Sequence, residues 1–150
     1  MKKVIVRLGN GLGNQLFTYA AAYSFAKKNN AELQVDDESG FHKRYKYELH
    51  NFNICAPIAG RKHKFLGLSG RFKRKILIKL SKFNPNIKFL IETKDKDKLS
   101  YYNPEQLNVD FRKNLYFEGY FQSEKYFKSN IIDLLKDLTF KDNIVNQKNI

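Results

Sequence analysis

Gly9-Asn10-Gly11-Leu12-Gly13-Asn14-Gln15 decides the fold of this chain. The stretch follows a short apolar run, Val4-Ile5-Val6, and precedes an apolar run over 16–26 that predicts a buried helix. Glycines at alternate positions let the backbone turn sharply, because no Cβ obstructs it. A helix that begins near Asn14 would direct its free N–H groups and the positive end of its dipole into this turn. The pattern therefore predicts a strand, a tight loop and a helix, with room for an anion such as a phosphate.

The same loop is also compatible with tight packing alone or with other nucleotide motifs. The dinucleotide fingerprint is incomplete, since Asn14 stands where its third glycine belongs, and no Gly-Lys-Ser/Thr follows for a P-loop. Asp36 and Asp37 lie about 20 residues further on, where a ribose-binding acid would fall. An NAD-dependent oxidoreductase therefore stays open as an alternative.

Further along the chain, apolar runs predict the rest of an α/β fold. Strands are expected over 2–8, 31–35, 88–93 and 115–121, and a helix is expected to begin at Ser123 and run through Leu138. Lys27-Lys28-Asn29-Asn30 closes the first helix, with an asparagine able to take the left-handed conformation. The prediction is an open, mostly parallel sheet flanked by helices. Acids at 36–38 then follow a strand's carboxyl end, where they could hold a sugar hydroxyl, act as a base or form a solvated turn.

Composition indicates a basic globular protein. The 150 residues are 42% hydrophobic and carry a formal net charge of +13, which implies anionic partners. Cys55 is the single cysteine, so no internal disulfide is possible. The apolar run after Met1-Lys2-Lys3 is too short for a signal peptide. We expect a cytoplasmic protein, without a metal, since His42, His50 and His63 lack metal-site spacing.

The middle of the chain is strongly cationic. No acidic residue occurs between Glu48 and Glu92, and the block over 60–82 predicts an amphipathic helix in which Phe72, Ile76, Leu77 and Leu80 recur at helical spacing. The helix either packs on the domain with a solvated outer side or binds an anionic membrane surface through cations at Lys73, Arg74, Lys75 and Lys79. No RNA-binding motif or DNA-reading helix pair supports a nucleic-acid partner.

Four stretches of the sequence form a recognisable set. They are, in order, Gly11-Leu12-Gly13-Asn14-Gln15-Leu16-Phe17 with Tyr19-Ala20, Val35-Asp36 with Phe41, Tyr47-Glu48-Leu49 with Phe52-Asn53-Ile54, and Gly119-Tyr120-Phe121-Gln122-Ser123-Glu124-Lys125-Tyr126-Phe127. Together these stretches resemble the bacterial α-1,2-fucosyltransferases of glycosyltransferase family 11. Asn10 departs from the glycine usual at its position in that family.

This resemblance implies a function and a division of the chain. Family members have a two-lobed, GT-B-like fold and move L-fucose, with inversion and without a metal, from GDP-fucose to the 2-hydroxyl of a galactoside, as in O-antigen, lipopolysaccharide or capsule synthesis. Residues 1–140 would form the N-terminal α/β lobe, with the basic helical insertion at about 60–82, and 141–150 a polar tail. The C-terminal nucleotide-binding lobe would be absent. The family's His-x-Arg-Arg-x-Asp segment does not occur in this sequence.

The residues carried over from the family motif are few. Gly11, Gly13 and Asn14 are expected on the GDP-fucose side, while Gln15 is expected to brace the loop. Glu118, Gln122 and Glu124 cluster near the last strand end, and no general base is assigned among them. Micromolar binding needs about −8 kcal/mol, whereas a helix terminus contributes about 0.3–2 kcal/mol and a hydrogen bond to a charged group roughly 1.5–3 kcal/mol. The chain is therefore expected to be a truncated, inactive half that binds its donor weakly.

A non-catalytic module for an anionic membrane or a polyanion is the further alternative. It would use the basic block and treat the glycine loop as a simple turn.

Overall fold

The computed structural model describes residues 1–42, 44–94 and 101–145. Four parallel strands form one sheet: β1 (Lys3–Arg7), β2 (Glu32–Asp36), β3 (Ile87–Ile91) and β4 (Asn114–Glu118). Their order is β2-β1-β4-β3, so β1 and β4 lie at the centre. The predicted open parallel sheet flanked by helices is confirmed, and it follows from short apolar runs that are buried on both faces.

The pleat of the central strands divides the core into two layers. Val4 and Val6 of β1 face the layer that contains α1 (Leu12–Lys28), whereas Ile5 faces the opposite layer. In β4, which pairs with β1 in register, Leu115 and Phe117 face the first layer and Tyr116 faces the second. Helix α2 (Gly67–Ser81) covers the second layer through Leu77.

Helix α1 begins two residues before the predicted start. Gly11 is its N-cap in extended conformation, and Asn10 before it adopts a left-handed φ of 60°. Gly13 and Asn14 therefore lie in the first turn of the helix and not before it. At the other end Asn30 has a φ of 50°, which confirms the predicted left-handed residue.

Helix α2 packs on the sheet, but through a different face from the one that the apolar spacing predicts. The inward side of the helix presents Gly70, Arg74, Leu77 and Ser81, and of the predicted apolar set only Leu77 packs on the core. Phe72, Ile76 and Leu80 are exposed. Two local contacts fix this orientation. Gly70 lies so close to Phe65 that a Cβ there would stand 2.4 Å from its carbonyl carbon, and Arg74 bonds Glu118 at the end of β4.

The predicted helix from Ser123 to Leu138 is wrong in its first half. The chain forms single 3-10 turns at Glu124–Tyr126 and Lys128–Asn130 before α3 (Ile131–Asp137) and a short α4 (Asp142–Val145). Phe127 interrupts the helix with a φ of −134°, and the Asn130 side chain donates to Ser24 of α1 at 3.0 Å. Ser123 does accept from the Lys125 N–H, as a cap should. The part of the predicted tail at 146–150 lies outside the described residues.

None of the helices in the described ranges combines the length and the apolar content that crossing a membrane requires.

Candidate functional site

A cleft opens at the carboxyl edge of the sheet, between the ends of the central strands. Its cavity of about 220 Å³ is lined by residues that follow β1, β3 and β4, and by the first turns of α1. In the sheet, β2 lies on one side of β1, whereas β4 and then β3 lie on the other. The chain leaves β1 for β2 on the first side and then crosses to β3 on the other, so the strand order reverses between β1 and β4. Open α/β sheets bind their ligands at such a point. The lining includes Arg7, Gly9, Asn14, Glu92, Glu118 and Gly119.

The two predicted site glycines, Gly11 and Gly13, lie at the amino end of α1 and are not part of the cavity lining. A Cβ built on Gly13 meets nothing within 4 Å, and one on Gly11 meets only the Tyr45 ring, at 3.7 Å. The positive end of the α1 dipole is therefore not sealed by side chains. Donor binding requires an accessible first turn of α1, and the donor-binding role of Gly11 and Gly13 stays a prediction.

Asn14 is the predicted site residue that borders the cavity. Its Oδ1 accepts from Gln122 Nε2 at 2.6 Å, and its backbone carbonyl accepts from Thr18 Oγ1 at 2.8 Å. Within the described residues its Nδ2 group donates no hydrogen bond. Asn14 thus offers an N–H donor at the cleft, and the structure brings Gln122, named from the family match, next to it.

The glycine that sterics require in this loop is Gly9, which sequence reasoning did not single out. A Cβ on Gly9 would stand 2.6 Å from the Gly40 carbonyl oxygen, and a Cβ on Gly40 would stand 1.8 Å from the Leu8 oxygen. The loops after β1 and β2 therefore cross in backbone contact. The sequence signal was the pair of glycines that follow neighbouring strands, one after each.

Gln15 holds the loop from inside the protein. Its Nε2 donates to the carbonyl oxygens of Asn10 and Lys46, both at 2.9 Å, and its Oε1 accepts from the Glu48 N–H at 2.9 Å. The side chain is fully buried. The predicted bracing role is confirmed, and these bonds tie the backbone at Lys46 and Glu48 to the glycine loop.

The acids after β2 are engaged inside the protein. Asp36 is buried, and its Oδ1 accepts from the N–H groups of Glu38 and Ser39 at 3.1 and 2.9 Å, while its Oδ2 accepts from the Ser39 hydroxyl. Asp37 pairs with Lys64 at 2.5 Å, and Glu38 pairs with the same ammonium. Asp36 therefore stabilises the turn after β2. Because both carboxylates are engaged within the protein, neither Asp36 nor Asp37 is free to bind a ribose hydroxyl.

Glu118 joins two arginines beside the cleft. Its side chain is 8% exposed at the end of β4 and accepts from Arg74 Nε at 2.9 Å, from Arg74 Nη2 and, at 3.4 Å, from Arg7 Nη1. Arg7 also donates to the Ser39 carbonyl oxygen at 2.7 Å. The cavity lining holds Arg7 and Lys94 against Glu92 and Glu118, and Arg74 lies beside it on Glu118. These five groups leave one net positive charge at this edge, which favours an anion in the cleft. The sequence gives no sign of this cluster, because Arg7 lies within a strand and Arg74, expected at a membrane surface, lies in a distant helix.

Glu92 shapes the other wall of the cleft. Its carboxylate accepts from the backbone N–H groups of Tyr120 and Phe121, at 2.6 and 3.0 Å. Gly119 between β4 and this turn has a φ of 148°, a conformation that suits glycine. The carboxylate therefore fixes the loop after β4, and Glu124 of the predicted cluster lies apart, in the following 3-10 turn.

The remaining reactive side chains lie elsewhere. The Tyr19 hydroxyl donates to buried Asp137 at 2.5 Å, and burial raises the pKa of Tyr19 strongly. A hydrogen bond with Asp137 raises the pKa of the Cys55 thiol, which disfavours a nucleophilic thiolate. Buried His63 contacts the Tyr116 hydroxyl at 3.1 Å. Among the residues that the structure describes, no group of three His, Cys, Asp or Glu side chains is placed to hold a metal ion.

Comparison with known proteins points to sugar transfer. The chain is 44% identical over 54 residues to the O-antigen biosynthesis glycosyltransferase WbnK of Escherichia coli, covering 32% of this chain and 18% of that protein. It is 27% identical over 131 residues to an alpha-1,2-colitosyltransferase of Escherichia coli, covering 85% of this chain and 41% of that protein. The chain spans less than half the length of the curated relatives it matches. No protein-family model and no solved structure matches it. Similarity to two named glycosyltransferases supports a glycosyltransferase.

Proposed function

We propose that this chain forms the N-terminal lobe of a glycosyltransferase of surface-glycan synthesis, such as O-antigen, lipopolysaccharide or capsule. The observation that carries the proposal is the similarity over 131 residues to an enzyme named for α-1,2 sugar transfer. The glycine loop of this chain borders a cleft at the carboxyl edge of a parallel sheet, where a nucleotide sugar would bind. The proposed setting is the cytoplasm, and the proposed architecture is GT-B-like.

The finer proposal is fucosyl transfer. The residue pattern resembles family 11, so the donor would be GDP-fucose, the acceptor the 2-hydroxyl of a galactoside, and the reaction inverting and metal-independent. A colitosyl donor is the second candidate, because the longer of the two alignments is with a protein named for that sugar.

In this proposal the chain supplies one side of the donor site. Gly11 and Gly13 let an anion approach the N–H groups of the first turn of α1, and Asn14 Nδ2 donates from beside them. Arg7 and Lys94 in the lining, with Arg74 beside it, add a positive field that Glu118 and Glu92 largely offset. These contacts amount to a few kcal/mol. They suffice for binding in roughly the millimolar range, which corresponds to about −4 kcal/mol.

Catalysis would need more than this lobe. Charge develops on the departing nucleotide in the transition state, and fixed cations must offset it when no metal does so. Both arginines beside the cleft are already paired with Glu118. We therefore propose that the chain alone binds a nucleotide sugar weakly and does not turn it over at ordinary enzyme rates.

Ligand-observed NMR with GDP-fucose tests the donor site, because the method detects weak binding. The chain should bind GDP-fucose and, less tightly, GDP, and NAD should not compete. Asn14→Ala should weaken binding by about 10- to 100-fold, since a hydrogen bond to a charged oxygen contributes roughly 1.5–3 kcal/mol. Asn86→Ala is the matched control: Asn86 is exposed and precedes β3, so it lies at the opposite edge of the sheet.

Other results would redirect or refute the proposal. A colitosyl nucleotide that binds more tightly than GDP-fucose would select the second donor. NAD binding without GDP-fucose binding would support the oxidoreductase. Turnover of GDP-fucose by the isolated chain, comparable with a complete enzyme, would show that the catalytic groups are already present in these residues.

A further inference from the structure

Helix α2 turns an apolar stripe away from the protein. The outer stripe consists of Leu68, Phe72, Ile76 and Leu80 along the helix and Phe83 just after it. These side chains are 83%, 67%, 42%, 51% and 88% exposed, respectively. Contiguous exposed apolar patches mark interaction sites in soluble proteins. The stripe lies opposite Gly70, Arg74 and Leu77, which hold the helix on the sheet, so the fold does not bury it.

Cations border this stripe on both sides. At 3.6 residues per turn, Arg71, Lys75 and Lys82 fall along one side, Lys73 falls on the other and Lys79 falls between the apolar residues. All five are exposed. Next to Lys73, a surface hollow of about 540 Å³ at the start of the helix is also lined by Arg61. The sequence from 49 to 91 contains no acid that would pair with these cations locally.

We propose that the outer stripe of α2 docks on an anionic lipid bilayer. An amphipathic helix lies in a membrane interface when apolar side chains enter the acyl boundary and flanking cations meet anionic headgroups. The charge pattern argues against a second copy of this chain as the occupant, because a two-fold interface would bring the two sets of cations together. Arg74, one of the four cations named from the sequence, takes no part since it faces the sheet and pairs with Glu118. This surface is separate from the proposed donor site and does not depend on it.

Vesicle flotation of the full chain tests the proposal. Vesicles of phosphatidylcholine with phosphatidylglycerol are compared with vesicles of phosphatidylcholine alone. The chain should float with the anionic vesicles and not with the neutral ones, and added NaCl should weaken the binding by screening.

Two pairs of variants separate charge from apolar insertion. Lys75→Gln with Lys79→Gln should weaken binding roughly 30-fold, since each lysine near an anionic surface contributes a factor of about five. Its control, Lys113→Gln with Lys128→Gln, makes the same charge change at exposed sites away from α2.

Phe72→Ser with Phe83→Ser should weaken binding at least about tenfold by the loss of buried apolar area. Its control is Ile132→Ser with Leu135→Ser, which removes exposed apolar residues from α3. Circular dichroism and the melting temperature establish that every variant is folded.

The proposal fails on any of three results. Equal flotation with neutral and anionic vesicles, or none with either, excludes an anionic bilayer. Equal losses in the α2 variants and their controls show non-specific attraction of a basic protein. Sedimentation velocity that reveals a dimer abolished by the Phe72 and Phe83 changes, without vesicle binding, assigns the stripe to a second copy.

Discussion

At the residue scale, the loop contact between Gly9 and Gly40 sets the geometry of the cleft. The loops after β1 and β2 cross there with no space for a side chain on either glycine. By contrast, Gly11 and Gly13 are free of such crowding. Glycines close together in one motif therefore have different roles: one lets two backbones pack, and the others leave the start of α1 accessible.

Substitution at Gly40 should destabilise the fold. The Cβ of Gly40→Ala would stand 1.8 Å from the Leu8 carbonyl oxygen, so a backbone must shift, and we expect a loss of roughly 2–4 kcal/mol in the free energy of unfolding. Urea denaturation measures it. Gly60→Ala is the control, because a Cβ there meets nothing within 4 Å and the backbone φ of −64° suits alanine. Equal stability of the two variants would contradict the close backbone contact between the loops after β1 and β2.

His63 should make stability depend on pH. Burial, followed by the nearby cations Lys62, Lys3 and Lys73, lowers the pKa of His63 below its usual 6.5. The unfolded chain therefore binds more protons than the folded chain near pH 6, so stability is full above about pH 6.5 and declines as the pH falls through the folded-state pKa. The slope for one proton is at most about 1.4 kcal/mol per pH unit.

The measurement for His63 is the free energy of unfolding in urea between pH 7.5 and pH 5.5, for the native chain and for His63→Phe. The variant should be less stable at neutral pH, because Tyr116 loses its hydrogen-bond partner. Its decline toward pH 5.5 should nevertheless be shallower. Parallel pH profiles would exclude His63 as the source of the dependence.

At the scale of elements, Arg74 ties α2 to the central strand. Arg74→Met keeps the aliphatic stem but removes the guanidinium group from Glu118, whose carboxylate then retains only Arg7 at 3.4 Å. Leaving a buried carboxylate poorly paired should cost roughly 1–3 kcal/mol, less than a fully buried pair because Arg74 is 23% exposed. Lys75→Met is the control, and we expect it to change stability by less than about 0.5 kcal/mol. Chemical denaturation measures the free energy of unfolding of both variants. Similar losses for Arg74→Met and Lys75→Met would refute the stabilising contact between Arg74 and Glu118.

Helix α2 also shows what periodicity leaves undetermined. The spacing of apolar residues predicted the helix within 60–82, and the structure places it over Gly67–Ser81. The same spacing did not predict which side faces the sheet, because that depends on partners far away in sequence. Gly70 against Phe65 and Arg74 against Glu118 outweigh the preference of Phe72 for burial.

The segment after β4 shows the limit of local helix signals. Ser123 and Glu124 form a proper start, and the apolar residues through Leu138 keep a helical period. The chain nevertheless breaks at Phe127, whose ring packs on Phe17 of α1 with centroids 5.9 Å apart, and at Asn130, which bonds Ser24. Tertiary contacts with α1 override the local propensity here.

At the scale of the whole molecule, the sheet was predictable and the electrostatics of the cleft were not. Buried strands and the glycine loop have local signatures, so the sequence indicated that Gly11, Gly13 and Asn14 follow the carboxyl end of β1, where the structure has them. The carboxylates Glu92 and Glu118 have no local signature for their roles, because each is fixed by backbone or cationic groups that only the folded chain brings near. Asp36 differs, since it accepts from residues two and three positions further along its own turn.

The net charge of the molecule should make its melting temperature depend on salt. A net charge of +13 on 150 residues opposes compaction by self-repulsion, while the pairs of Glu118 are partly shielded from solvent. Raising NaCl from about 20 to 200 mM shortens the screening length to below about 10 Å and should relieve the repulsion more than it weakens those pairs. We expect the melting temperature to rise by roughly 2–4 °C, or about 1 kcal/mol for a chain of this length.

The variant Lys75→Gln with Lys79→Gln serves as the control for the salt effect. It removes two of the crowded cations, so it should melt higher at low salt and gain less from NaCl. Sulfate separates screening from binding: at equal ionic strength it should match NaCl if repulsion alone is relieved, and exceed it if an anion occupies the positive cleft edge. A melting temperature that falls with NaCl would mean that ion pairs outweigh self-repulsion in this fold.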